Sequence, residues 1–203
     1  MPLHARAWQD ALDAVGRSVS RRTIYEWEGE PGTNTARTLL AKRGGAPSRR
    51  AIASLLHDKE RRFSRLARCI RVNPTLERLL GTLSGRSTRL ALVTGTSSRE
   101  VRRVIPKSLL AAFSVIVTGD RVRHGKPHPE PYRTAIRKLQ RAPSRVIVVE
   151  NAPYGIRSAK AARAGLVIAL ASSLPARFLR EADLVVPSMP RLCRLLEVLT
   201  AAH

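Results

Sequence analysis

The sequence predicts an α/β protein, a doubly wound parallel sheet preceded by a small helical bundle. Three observations carry that expectation. Up to residue 72 the apolar residues recur at helical spacing, and after Asn73-Pro74 short apolar runs alternate with amphipathic segments. The runs themselves, such as Val146-Ile147-Val148-Val149, are continuous rather than alternating, as expected of strands covered by helices on both faces.

Taken in order, a first helix from Pro2 to about Val15 stops near Gly16, and Gly29-Glu30-Pro31-Gly32 forms a loop between two further helices. In 47–70, Ile52, Leu55, Leu56, Phe63, Leu66 and Ile70 fall at spacings of three, four and seven behind a Pro47-Ser48 start. Arginines 61, 62, 65, 68 and 71 occupy the opposite side. The α/β part is expected to run helix 74–84, strand 89–93, helix 97–105, strand 113–117, loop 118–129, helix 130–140, strand 145–149, helix 153–163, strand 166–170, helix 175–182, strand 183–186 and helix 189–200. The domains expected are 1–72, a helical unit, and 73–203, the sheet.

Composition narrows the classes of function. A hydrophobic content of 43% supports a packed core, and no stretch approaches the roughly 20 apolar residues of a membrane span. The start, Met1-Pro2-Leu3-His4, lacks the pattern of a secretory leader, and Cys69 and Cys193 read as buried thiols, so a cytoplasmic location is expected. With 37 Lys+Arg against 15 Asp+Glu the net charge is +22. The excess is spread along the chain, with 15 basic and 7 acidic residues up to Asn73 and 22 and 8 after it, and aromatics are only 4%. Such a distribution argues for a solvated basic surface, with attraction of anionic substrates as a separate alternative, and against a nucleic-acid partner.

Three segments sit at expected strand ends, where ligands of parallel sheets bind. Thr94 follows Leu90-Ala91-Leu92-Val93, so its hydroxyl and the amides of Gly95 and Thr96 are candidates to hold an anion, with the next helix start adding its dipole; the alternative is a plain helix cap at Ser97. Lys126 lies in Gly125-Lys126-Pro127-His128-Pro129-Glu130-Pro131-Tyr132, whose prolines can aim its ammonium inward. Glu150-Asn151 ends the most apolar strand. A carboxylate there is costly unless paired or metal-bound, and oxygen donors suit Mg²⁺, which makes Glu150 a candidate ligand and Asn151 a weaker one.

Together these residues resemble the haloacid dehalogenase-like (HAD) superfamily, in the branch of β-phosphoglucomutase and phosphoglycolate-type phosphatases. Thr94 matches its second motif, Lys126 its third, and Glu150-Asn151 its fourth, where Glu-Asp or Asp-Asp is more usual. His4-Ala5-Arg6-Ala7-Trp8 resembles the start of the family's helical cap, and Leu174-Pro175 with Ala182-Asp183-Leu184-Val185-Val186 its final strand region. The resemblance implies a Rossmann-like core missing its first strand, Mg²⁺ as cofactor, a small phosphorylated metabolite as substrate, catalytic roles for Thr94 and Lys126, and His4, Gly95 and Thr96 near the substrate. It also implies an Asp-x-Asp pair ahead of His4, one aspartate attacking phosphorus and the other shuttling a proton. That pair is expected upstream of Met1, because Asp10 and Asp13 stand three apart in an alanine-rich helical stretch. The 203 residues alone are then expected to be inactive. The loop 28–33 carries no arginine to hold a second phosphate, which favours a hydrolase over a β-phosphoglucomutase-like phosphotransferase; a non-catalytic basic binding module is the alternative of another class.

Overall fold

A computed structural model describes residues 2–41, 45–67, 72–85 and 88–201. Four helices come first: α1 (Pro2–Asp13), α2 (Arg21–Glu26), α3 (Gly32–Ala41) and α4 (Arg49–Leu66). The Ser20 hydroxyl accepts from Thr23 N at the start of α2, and that of Ser48 from Ala51 N at the start of α4, each supplying a partner to an otherwise unpaired amide. Gly16, at φ +67°, turns the chain after α1 in the left-handed region that glycine enters without strain. α1 lies along α4, α2 beside α1, and α3 beside α4. The apolar stripe of α4 buries Ile52, Leu55 and Phe63, while the exposed Arg61 and the half-buried Arg62 pair with Asp58. Cys69, Ile70, Arg68 and Arg71 lie outside the described residues; Cys193 is buried.

The second part runs α5 (Pro74–Gly85), β1 (Ala91–Val93), α6 (Ser98–Val104), α7 (Lys107–Leu110), β2 (Val115–Val117), α8 (Glu130–Leu139), β3 (Ile147–Glu150), α9 (Pro153–Ala161), β4 (Leu166–Leu170), β5 (Leu184–Val186) and α10 (Met189–Ala201). Every ladder is parallel: Leu92 opposes Ile116, Val149 opposes Ile168, and Ala169 opposes Val185. Side chains along β4 alternate between two cores. Val167 and Ala169 join Ile156 and Ala159 of α9, whereas Ile168 and Leu170 join Leu79 and Leu83 of α5 and Leu192 and Leu196 of α10. Helices on both faces make the sheet doubly wound.

Two segments differ from the sequence expectation. Residues 175–182 make a single 3₁₀ turn, Ala176–Phe178, behind Pro175, with Leu174 and Leu179 buried and Phe178 packed against the core. Residues 107–110 form the short helix α7 behind Pro106. The sheet is also in two pieces, β1-β2 and β3-β4-β5, and among the described residues no ladder joins β1 to β3. Val149, in the middle of β3, remains 40% exposed. No described helix is long and apolar enough to cross a membrane.

Candidate active site

The turn after β1 is held by its own hydrogen bonds. Thr94 N donates to Val117 O at 2.9 Å, prolonging the β1-β2 ladder, and Thr94 Oγ1 accepts from Thr96 N at 3.1 Å. Gly95 meets the loop between α2 and α3, where a Cβ would lie 2.8 Å from Gly29 O. The start of α6 is less open to an anion than its sequence suggests. Asp120 already accepts from Ser98 N at 2.9 Å and Ser98 Oγ at 2.7 Å, as well as from Thr118 Oγ1 at 2.6 Å. Against a desolvation cost, those donors hold its carboxyl at about 2.

Lys126 is buried, 6% exposed, and donates to Glu150 Oε1 at 2.5 Å and to Val93 O at 3.2 Å. It thus touches the tips of both sheet pieces. Its loop is closed by Glu130, whose carboxylate accepts from Arg123 N at 2.7 Å and His124 N at 2.9 Å, and by Ser158 Oγ donating to His128 O at 2.6 Å. The proline frame leads directly into α8, with Pro131 inside its first turn. On the bundle side, Gly29 packs on Lys126, where a Cβ would stand 2.6 Å from Cδ.

Glu150 ends β3, 8% exposed. Its Oε1 accepts from Lys126 Nζ and from Tyr132 Oη, its Oε2 from Asn151 N at 3.1 Å, and its carboxylate rests on Gly155, where any Cβ would overlap it. Burial first, then the Glu150 charge, pushes the Tyr132 phenol well above its ordinary range, so that it stays protonated and donates. Asn151 is half-buried beside it. These residues by themselves fall short of a Mg²⁺ cage. The carboxylate that would hold the ion is already neutralised by Lys126 on one oxygen, and Asn151 adds only a neutral donor.

His4 stacks on Phe63, ring centroids 3.8 Å apart, and lines a cavity of about 200 Å³ between the helical bundle and the β1 turn. Burial, then the Lys59 ammonium, pushes its imidazole well below 6.5. Gly95 and Thr96 form the opposite wall; Thr94 faces an adjoining hollow that His4 and Thr96 share. The structure therefore brings Lys126 and Glu150 into contact beside Val93, the residue before Thr94. It places His4, Gly95 and Thr96 around the neighbouring cavity, which Lys126, Glu150 and Asn151 do not line.

Sequence reasoning missed Lys59, Glu100 and the polar role of Tyr132. Lys59 interrupts the apolar stripe of α4 between Leu55 and Phe63, a position at which a lysine must be paired or aimed into a cavity, and that signal was legible. Glu100, in the first turn of α6, carried no such mark. Tyr132 fitted the buried face of α8 equally well as a plain core residue.

Comparison with known proteins converges on one family. A model described as "haloacid dehalogenase-like hydrolase" matches residues 2–169. The chain is 28% identical over 163 residues, 79% of its length and 74% of the relative's, to "Phosphorylated carbohydrates phosphatase" of Thermotoga maritima. It is 42% identical over 81 residues, 39% of its length and 37% of the relative's, to validoxylamine A 7'-phosphate phosphatase of Streptomyces hygroscopicus subsp. limoneus. Among solved structures it is similar to CbbY from Rhodobacter sphaeroides in complex with phosphate, at a TM-score of 0.77 and 27% identity, covering 94% of this chain and 89% of that one. With a match spanning most of its length and the strand-tip residues in the family's order, the chain belongs to the haloacid dehalogenase-like hydrolases and is a phosphohydrolase of that family.

Proposed function

We propose that this phosphohydrolase cleaves a small phosphorylated carbohydrate or polyol through an aspartyl-phosphate, with residues 1–72 as the cap over the 73–203 core. The single observation that carries the reading is the buried Lys126, which bridges the tips of β1 and β3. An ammonium desolvated at this junction is placed to offset charge on a transferring phosphoryl group, with the Thr94 hydroxyl one residue beyond Val93. Glu150 and Tyr132 orient the ammonium rather than react. Relatives named for phosphorylated carbohydrates, validoxylamine A 7'-phosphate and hexitol phosphates point to the substrate class.

The nucleophile is the part that the described residues do not present at the strand tips. Asp10 is tied to Arg6 on α1 and Asp120 is held by Ser98 and Thr118. The unladdered junction between β1 and β3, with Val149 uncovered, is where a strand bearing Asp-x-Asp would pair and complete both the sheet and the site. That strand would also supply the carboxylate that Glu150 and Asn151 need to hold Mg²⁺, an ion that in this chemistry neutralises phosphoryl oxygens. The cap loop Glu28-Gly29-Glu30-Pro31-Gly32-Thr33 offers no cation for a second phosphate, which favours hydrolysis over mutase chemistry.

The test is complementation. The purified chain with Mg²⁺ is assayed for phosphate release from a sugar-phosphate panel, with and without an apolar peptide ending in Asp-x-Asp, and with an Asn-x-Asp control. Release is expected only with the first peptide. Equal release without any peptide would show that the nucleophile lies elsewhere in the chain, and no release with an extended chain carrying the strand covalently would remove the reading.

A further inference from the structure

The cavity beside the strand tips has the opposite charge to the molecule. In a chain of net charge +22, Glu28, Glu30, Glu60, Glu100 and Asp120 line it, and among the described lining residues Lys59 supplies the one ammonium and none is an arginine. Glu100 is 7% exposed, and its Oε1 has no hydrogen-bond partner. Lys59 Nζ stands 3.6 Å away, too far for a hydrogen bond, and shares its charge with the Phe63 ring at 5.0 Å. Glu100 lines the cavity, and its Oε1 has given up water without a hydrogen bond in replacement. Trp8 and Trp27 supply flat apolar walls on which a sugar ring or a cation can lie.

Resting on the phosphohydrolase reading above, we infer that this cavity holds the ammonium-bearing end of an aminated sugar or polyol phosphate, with the phosphate toward the strand tips and the amine among Glu28, Glu30 and Glu100. An ammonium brings donors to an oxygen that has no hydrogen bond and whose one cation, Lys59, stands 3.6 Å away. A neutral hydroxyl supplies one donor and no charge, and a second phosphate or a carboxylate would be repelled. Burial raises the carboxyl pKa values of Glu28, Glu30 and Glu100, and the ammonium groups near Glu28 and Glu100 offset only part of that rise.

Trp8 and Trp27, the two tryptophans of the chain, both line the cavity and report its occupation. The unmodified chain is titrated by tryptophan fluorescence with glucosamine 6-phosphate, glucose 6-phosphate, glucose 1,6-bisphosphate, and glucosamine without phosphate. Glucosamine 6-phosphate is expected to bind about tenfold more tightly than glucose 6-phosphate, and the bisphosphate most weakly. Glu100→Gln is expected to bring the first two within about twofold; Glu30→Gln, at a half-buried site outside the Lys59 pair, is expected to narrow the gap in the same direction if the first variant does not fold. Equal affinities in the unmodified chain, tighter binding of the bisphosphate, or no response to any ligand would overturn the inference. A response to Mg²⁺ alone that excludes the amine would do so too, by assigning the carboxylates to a metal. Equal binding of glucosamine with and without phosphate would leave the amine site standing while removing the phosphate site, so the two readings fail separately.

Discussion

At the scale of residues, the site turns on a buried pair and the groups that make it tolerable. Lys126 and Glu150 lose water together, and burial of two charges repays its cost only when their remaining donors and lone pairs are met. Val93 O, Tyr132 Oη and Asn151 N meet them. Tyr132→Phe removes one donor to a buried carboxylate and is expected to cost about 2 kcal/mol in urea unfolding, because a hydrogen bond to a charged group exceeds the usual value. A cost near zero would mean that water replaces the phenol. His4 gives a pH signature. Its folded pKa lies below the ordinary 6.5, for burial and then Lys59 disfavour the imidazolium. Above 6.5 the ring is neutral in both states and costs nothing. As the pH falls below 6.5, the unfolded chain binds a proton that the folded chain refuses, and stability declines until the folded pKa is reached. His4→Gln is expected to flatten that part of the stability curve, measured by melting temperature between pH 7 and pH 5; an unchanged slope would assign it to other groups.

At the scale of elements, helices were legible and connections less so. α4 announced itself through Ser48, through apolar residues at 52, 55 and 63, and through the arginines opposite. Ser48→Ala is expected to destabilise the chain by about 1 kcal/mol, the usual worth of an N-cap hydroxyl, and a larger loss would mean that the bundle depends on α4 starting at this residue. The strands β3 to β5 were visible because their residues are apolar on both faces. The segment 175–182 was not, since the apolar spacing of Leu174, Phe178 and Leu179 suits one helix face as well as the short 3₁₀ turn that forms. Thr94 and Glu150 could be placed at strand ends, and Lys126 in the loop 118–129, from sequence. That Lys126 would bond Val93 and Glu150 together, or that Asp120 would occupy the start of α6, depends on loop paths that only the fold supplies.

At the scale of the molecule, the charge distribution and the sheet's division give the chain its character. A net charge of +22 favours the arrival of anions from solution, and on the proposals above the acidic cavity would select among them. Such steering weakens with salt, whereas a buried lysine between two strand tips is screened far less. Among the described residues no ladder joins the two sheet pieces, and Lys126 bonds the tips of both, the point at which the proposed function puts the phosphate. The most direct measurement is calorimetric titration of the chain with inorganic phosphate at 0.15 M salt, for the unmodified protein and for Lys126→Ala. Saturable binding at one site, lost in the variant, is the result expected; binding that Lys126→Ala leaves unchanged, or that spreads over many weak sites and fades with salt, would contradict a phosphate site at the strand tips.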